Sequence, residues 1–438
     1  MSSFSPRHLG ARLAAQWPQL WPLHPVRLAL LAALPVAVLA GSPQRVFLSA
    51  AIAAAYVFAA IATLRSEQLD RVVMGYLGVV AAWMVISWLR SAFLLHLQPD
   101  QLAYGTSKTG YFVLVVLPMA AAVALMIERA EAFWPTALAQ VAVGSAVALV
   151  TLITLGSHFL GTDRYSWQGN LIALGTVVAV QRWPIQRFPA SLSLGLLGIA
   201  GVMMAGSRQA VVALVAGLLL SAAFWAAVRY RTAIGSAWER LRAVATERYV
   251  LLPIALVLLT IGFLAVTYTG VSGIGLGASG TASSCHCVTD RFVGLESSAG
   301  DRDRLLALGA RLFVHNPILG AGLGSFAGQV PDSLHTGQFY EYPHNVPLEV
   351  AAETGAIGFV LVFGPLLAGW ILLFRHGVKR ASAPAATVLV VLAVFFTVAN
   401  LSGDIPSERG LWIFGLVAFK LGIDRLRRPE RRALSTAA

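Results

Sequence analysis

Three short polar segments interrupt an otherwise apolar sequence, and their residue types could act on an anionic ligand and a nucleophilic hydroxyl. They are residues 206–208 (Gly-Ser-Arg), residues 302–326, which end in a run of glycines, and residues 344–349 (His-Asn-Val-Pro-Leu-Glu). Fixed cations and a titratable imidazole are costly in such a chain unless they serve a polar ligand. We therefore expect the chemistry of this protein in these three segments.

His344 is the candidate general base. It follows Pro343 and precedes a predicted helix that carries Glu349 and Glu353 within its first turns. A neutral imidazole oriented by an amide such as Asn345, or by a carboxylate, can take the proton of a hydroxyl nucleophile. We predict a catalytic role for His344 and substrate contacts for Asn345 and Glu349. The alternative is a histidine with a structural role only.

Arginines are the candidate ligands for an anion. Arg208 lies between two apolar stretches with only a Gly-Ser turn before it, and Arg302 and Arg304 lie at the start of a helical segment. The planar guanidinium group matches phosphate oxygens with paired hydrogen bonds. We predict that these three side chains bind substrate. For Arg208, the alternative is an arginine that only reaches the lipid interface.

The glycine run has two open interpretations. Gly320, Gly322 and Gly324 alternate after Pro317. Glycines let backbone N–H groups approach an anion closely, but they also form tight connections at helix ends. A dinucleotide-binding loop is excluded, because the run lacks the preceding strand and following helix of that unit.

Other motifs give no metal or nucleophile site. Asp301 and Asp303 have Asp-x-Asp spacing, but residues two apart on a helix face different ways. Cys285, His286 and Cys287 are consecutive, so they cannot readily surround a tetrahedral zinc ion. The redox state of the two cysteines stays open. No Gly-x-Ser-x-Gly elbow of a serine hydrolase occurs. We predict that the protein uses no metal and no cofactor.

The composition places these segments in a membrane protein. The 438 residues are 57% hydrophobic and 12% charged, whereas soluble domains carry about 25% charged residues. Apolar stretches recur along the chain, so we predict an all-α, polytopic membrane protein with about twelve transmembrane helices. The predicted spans lie near residues 26–43, 46–64, 72–90, 110–127, 137–155, 169–181, 190–205, 209–228, 250–269, 356–374, 386–401 and 410–423.

The distribution of Lys and Arg predicts the orientation. The formal net charge is +12, but most of the cations fall in alternate loops, which assigns those loops and both termini to the cytoplasm. The cations then meet membrane lipids, and we predict no nucleic-acid partner. Residues 1–438 form a single integral membrane domain. Its one large periplasmic loop, residues 270–345, contains a helix at 301–315 whose apolar stripe includes Leu305 and Leu312, and it forms part of the site.

Taken together, the three segments resemble the O-antigen ligase and O-antigen polymerase superfamily of bacterial inner-membrane glycosyltransferases. The ordered set is specific, although no single piece is. One departure is Leu306, where such sequences usually carry Trp, and it affects packing more than chemistry. The matching pieces are Gly206-Ser207-Arg208, Arg302 fifteen positions before Pro317, Asn316-Pro317-x-x-Gly320-x-Gly322-x-Gly324-x-Phe326, and His344-Asn345-x-x-Leu348-Glu349-x-x-x-Glu353-x-Gly355.

The resemblance implies a GT-C-like helical fold with its site at the periplasmic face. Donors in this family are glycans on undecaprenyl diphosphate. Arg208 and Arg302, with Arg291 or Arg304 as helpers, would hold the diphosphate and stabilise the charge of the breaking C–O bond. His344 would deprotonate the acceptor hydroxyl, and a one-step attack would invert the anomeric centre.

The acceptor separates the activities within this family. Our first choice is an O-antigen ligase, in which a sugar hydroxyl of lipid A-core is the acceptor, because that lipid carries phosphorylated sugars. An O-antigen polymerase, with a second lipid-linked repeat as acceptor, and a protein O-oligosaccharyltransferase are the alternatives. Outside the class, a transporter for a polyprenyl-linked glycan stays open. The sequence leaves the sugar, the acceptor position and the oligomeric state open.

Overall fold

The described part of the chain is built from helices. In a computed structural model, the described residues are 25–40, 46–63, 70–154, 165–181, 188–233, 236–273, 295–331 and 342–436, and no strand occurs among them. The predicted all-α fold is confirmed in those ranges. Their helices are α1 (Pro25–Ala40), α2 (Val46–Thr63), α3 (Arg71–Phe93), α4 (Pro99–Met126), α5 (Trp134–Ile153), α6 (Tyr165–Ala179), α7 (Phe188–Met204), α8 (Arg208–Thr232), α9 (Ala237–Ala245), α10 (Arg248–Gly273), α11 (Leu295–His315), α12 (Val346–Arg380), α13 (Ala383–Leu401) and α14 (Arg409–Thr436).

Many of these helices could cross a bilayer, and the chain is an integral membrane protein. Seven are long and apolar enough to do so, and the bent pair of α9 and the start of α10 makes eight if it forms one span. Helices α1 and α7 are apolar but shorter. Each of the twelve predicted spans falls wholly or partly on a helix. The number twelve, the orientation and the GT-C-like arrangement stay predictions.

Helix α13 lies at the centre of the bundle. Its residues from 385 to 395 are all buried, as expected for a helix that is apolar all round. It packs against α6, α8, α12 and α14, and α12 and α14 also pack along each other. Two buried cations of α14 meet backbone carbonyls: Arg409 donates to Val38 (2.7 Å) and Lys420 to Ile127 (3.0 Å).

Helices α8 and α13 run antiparallel, because Phe224 near the end of α8 and Ala385 at the start of α13 flank the same residue, Gly377. The start of α8 and the end of α13 therefore lie at the same end of the bundle. Gly217 of α8 faces Val394 of α13. Arg208 precedes Gly217 by nine residues and Leu401, the last residue of α13, follows Val394 by seven, rises of about 13 and about 10 Å along α-helices. The Asn345 amide, at the start of α12, donates to the carbonyl at position 400 of α13 (3.2 Å). We call this end of the bundle, defined by Arg208, Asn345 and Gly403, the His344 end.

Helix α11 packs on the segment that leads into α12. A Cβ added at Gly309 would lie 3.4 Å from Pro343 and 3.0 Å from the Leu348 side chain. The predicted apolar stripe is buried at Leu305 and Leu312, and the helix begins at residue 295 rather than 301. The contacts hold the helix that carries Arg302 and Arg304 against the segment that carries the imidazole.

Candidate functional site

Helix α12 is broken at Gly355, and the glycine run fills the break. Gly355 has φ 71° and ψ −174°, which interrupts the helical hydrogen bonds on both sides. Irregular backbone at membrane depth is tolerated where protein satisfies its polar groups. The groups freed by the break pair with residues 317–322 through four backbone hydrogen bonds: Ala321 to Ala352 (2.8 Å), Gly322 to Glu353 (3.0 Å), Ala356 to Pro317 (2.8 Å) and Ile357 to Ile318 (3.3 Å).

This junction decides between the two interpretations of the glycine run. The amides of Ala321 and Gly322 donate to α12, and the Gly324 amide donates to the Glu353 carboxylate (3.2 Å). Those N–H groups are therefore not available to an anion, and the anion-loop interpretation is wrong for them. All three glycines of the run have positive φ, the conformation that glycine permits at little cost. The run is a tight connection that completes α12.

Arg90 of α3 holds the run from the other side. Its guanidinium donates to the carbonyls of Leu319 and Gly320. Arg90 is not among the residues that the sequence predicts for the site. Its position at the end of an apolar helix could have marked Arg90 as a candidate, but the sequence does not show which backbone carbonyls its side chain contacts.

A buried ionic cluster lies beneath the first turns of α12. The ammonium group of Lys108, in α4, donates to Glu349 and to Glu353 (2.6 Å), and all three side chains are inaccessible to solvent. The second oxygen of Glu349 accepts from the Ile405 amide (2.9 Å). Charges buried in this way require partners. The sequence does not single out Lys108, because it lies in a polar stretch just before the predicted span 110–127, where a lysine can be expected to face water.

Residues 402–408 form a tight turn between α13 and α14. Asp404 and Ser407 exchange backbone-to-side-chain hydrogen bonds of 2.9 and 3.0 Å. The Tyr104 hydroxyl of α4 donates to the Asp404 carboxylate (3.3 Å). Burial, helped by the charge of Asp404 and opposed by that of Arg409, raises the pKa of Glu408 to about 8. The turn thus places two carboxylates at the His344 end.

His344 has an uncommon backbone conformation. Its φ is 53°, in the left-handed region that few residues other than glycine adopt. Its ring packs on Tyr342, with centroids 4.4 Å apart. Asn345 caps α12 by accepting from the Leu348 amide (2.9 Å). A strained residue held by its surroundings marks a candidate functional site.

Tyr342, beside His344, lies within the influence of both acidic and basic side chains. Burial raises the pKa of its hydroxyl most. The negative charges of Asp404, Glu408 and Glu349 raise it further, and the positive charge of Arg302 lowers it. Arg302 is exposed on α11, the helix whose Gly309 lies beside Pro343. The helix that carries Arg302 therefore packs against the segment that carries Tyr342 and His344.

The remaining predicted site residues differ in their placement. Arg208 is half-buried at the first turn of α8, after the Ser207 cap, at the His344 end. Arg304 is exposed on α11, and two residues from Arg302 it faces another way. Arg291 lies outside the described residues, as do the three residues of the Cys-His-Cys motif at 285–287.

Within the described ranges, no group of three or more His, Cys, Asp or Glu side chains could hold a metal ion.

Residues 193–363 match a family model described as O-Antigen ligase. That region contains Arg208, the glycine run, His344 and the break in α12. No curated protein matches the chain.

Proposed function

We propose that this chain is an O-antigen ligase, a glycosyltransferase of O-antigen assembly; the match of residues 193–363 to a family model described as O-Antigen ligase supports the proposal. It moves a glycan from undecaprenyl diphosphate to a sugar hydroxyl of lipid A-core, at the periplasmic face of the inner membrane. The observation that carries the proposal is the left-handed His344 beside Tyr342, at the end of the bundle where Arg208 lies.

Arginines bind the diphosphate of the donor. Arg208 lies on α8 and Arg302 on α11, so in this proposal their guanidinium groups reach the diphosphate from different helices and hold separate phosphate oxygens. They stabilise the negative charge that develops as the glycosidic C–O bond breaks. Arg304 and Arg291 are secondary candidates. Diphosphate is a good leaving group once its charge is matched, so we propose a metal-independent reaction.

His344 is the general base. It takes the proton of the acceptor hydroxyl as that oxygen bonds to the anomeric carbon and undecaprenyl diphosphate leaves. Attack in one step from the face opposite the leaving group inverts the anomeric centre. A positioned base contributes about 10²- to 10⁴-fold to the rate. Packing on Tyr342 limits the orientations of the ring.

Asn345 and Glu349 contact other protein groups and not the substrate in this proposal. The Asn345 side chain caps α12 and reaches α13, and both oxygens of Glu349 have protein partners. We therefore assign them to positioning His344 rather than to direct contact with substrate.

The acceptor is the finer part of the proposal, and product analysis tests it. Purified protein would be mixed in EDTA with undecaprenyl-diphosphate glycan and lipid A-core. The proposal expects glycan on lipid A-core. Chain growth on the donor would instead identify a polymerase, and glycan on an added acceptor protein would identify an O-oligosaccharyltransferase. With none of these products, movement of the donor across proteoliposome membranes would point to a transporter.

A further inference from the structure

Lys108 links the parts of the site that come from distant regions of the chain. Its ammonium joins Glu349 and Glu353, which lie one turn apart on α12. Glu349 in turn holds the Ile405 amide of the 402–408 turn, and Glu353 holds the Gly324 amide of the glycine run. A single buried cation thus connects α4, α12, the turn and the run.

A second contact from the same helix supports this link. Tyr104 lies one turn before Lys108, and its hydroxyl donates to Asp404 in the turn (3.3 Å). The ammonium also lies 5.2 Å from the Tyr104 ring centroid. Helix α4 therefore meets the turn directly through Tyr104 and indirectly through Glu349.

Stability alone gives little reason for this cluster. Replacing a buried ion pair with well-packed apolar residues is often neutral or stabilising. The cluster can instead hold α12, the 402–408 turn and the glycine run in one fixed arrangement. His344 lies five residues before Glu349, and its backbone requires support from the surroundings because it is left-handed.

We propose that Lys108 is a positioning residue for glycosyl transfer: it fixes the first turns of α12, and with them His344, against the glycine run and the 402–408 turn. This inference rests on the proposed function. Lys108 itself does not touch substrate, because it is wholly buried behind the two carboxylates. Its loss acts on the alignment of the base, and a misplacement of about 1 Å can lower the rate about 100-fold. Donor binding should change little.

The test uses a charge-matched variant, because Lys108→Met alone would leave two unpaired buried carboxylates. In Lys108→Met/Glu353→Gln the cluster keeps its net charge of −1, since one cation and one anion are removed together. The glutamine oxygen can still accept from Gly324. Lys108→Arg keeps the bridge. The matched control is Lys420→Met, which removes another buried lysine, bonded to the carbonyl of Ile127.

Two readouts separate positioning from general stability. We expect the double variant, in which Glu349 keeps the Ile405 amide but loses its cation, to fold and to melt below the wild type but above Lys108→Met, which strands two carboxylates. Assayed below its melting temperature, it should lose about 100-fold in kcat with donor KM within about threefold. Lys108→Arg should recover part of kcat, and Lys420→Met should match the wild type. Both amides keep an acceptor in the double variant but lose the cation that fixes those acceptors, so hydrogen exchange at residues 324 and 405 should accelerate about tenfold in that variant only.

Two results would overturn the inference: a folded double variant with wild-type kcat, or unchanged exchange at both amides. An equal loss of kcat in Lys420→Met would also overturn it, because the effect would then be general. A wild-type protein that transfers no glycan would reject the proposed function instead. In that case the exchange measurement alone still decides whether Lys108 holds the turn and the run.

Discussion

Gly355→Ala is expected to open the junction between α12 and the glycine run. The glycine has φ 71° and ψ −174°, where other residues are strained by about 1–3 kcal/mol. An added Cβ would also overlap the Ile318 carbonyl. Relief of that overlap disrupts the backbone hydrogen bonds of the junction, each worth about 1 kcal/mol. We expect the free energy of unfolding to fall by about 3–5 kcal/mol.

Thermal unfolding of purified protein in detergent measures this effect. The matched control is Gly364→Ala in the same helix, where the nearest atom to an added Cβ is Val360 Cγ1 at 3.7 Å. There alanine should be neutral or stabilise by up to about 1 kcal/mol through helix propensity. The rate of glycan transfer should fall together with the stability in Gly355→Ala and should stay at the wild-type value in Gly364→Ala. Equal melting temperatures for the two variants would refute the broken-helix account.

Three other changes test the supports of the site. Arg90→Met removes the charged hydrogen-bond donors to the carbonyls of Leu319 and Gly320, which contribute about 1.5–3 kcal/mol to stability. An unchanged melting temperature would contradict the role of Arg90 in holding the glycine run. Asn345→Ala should lower the stability by about 1 kcal/mol through loss of the α12 cap, whereas Asn345→Ser, which also caps, should lose less; equal losses would count against the cap. The raised pKa of Glu408, about 8 against 4.5, means that the folded protein keeps a proton which the unfolded chain releases. The free energy of unfolding of the wild type should therefore decrease as the pH rises from about 4.5 to about 8, by roughly 2 kcal/mol after solvent screening. Glu408→Gln should remove that part of the slope, and parallel pH profiles for the two proteins would exclude it.

The sequence was sufficient to find the three polar segments and the helical fold. Charged residues and glycines stand out against an apolar background, and apolar stretches of membrane length predict helices directly. The helix of residues 301–315 could be predicted in the same way, because its stripe at Leu305 and Leu312 has helical spacing. Its earlier start, at residue 295, could not be, since element boundaries are weakly encoded.

The supports of the site could not be read from the sequence, because they depend on which helices pack together. Lys108 and Glu349 are 241 residues apart, and periodicity describes the faces of one helix only. The break at Gly355 is equally hidden, since a glycine within an apolar helix is common in membranes. Without the break, the two interpretations of the glycine run could not be separated.

Glycan transfer by His344→Asn, compared with the wild type, tests the central claim most directly. Asparagine tolerates the left-handed backbone but cannot act as a base. The account predicts an unchanged melting temperature, an unchanged KM for undecaprenyl-diphosphate glycan and a kcat lower by about 10²- to 10⁴-fold. Transfer at the wild-type rate by a folded His344→Asn protein would contradict it.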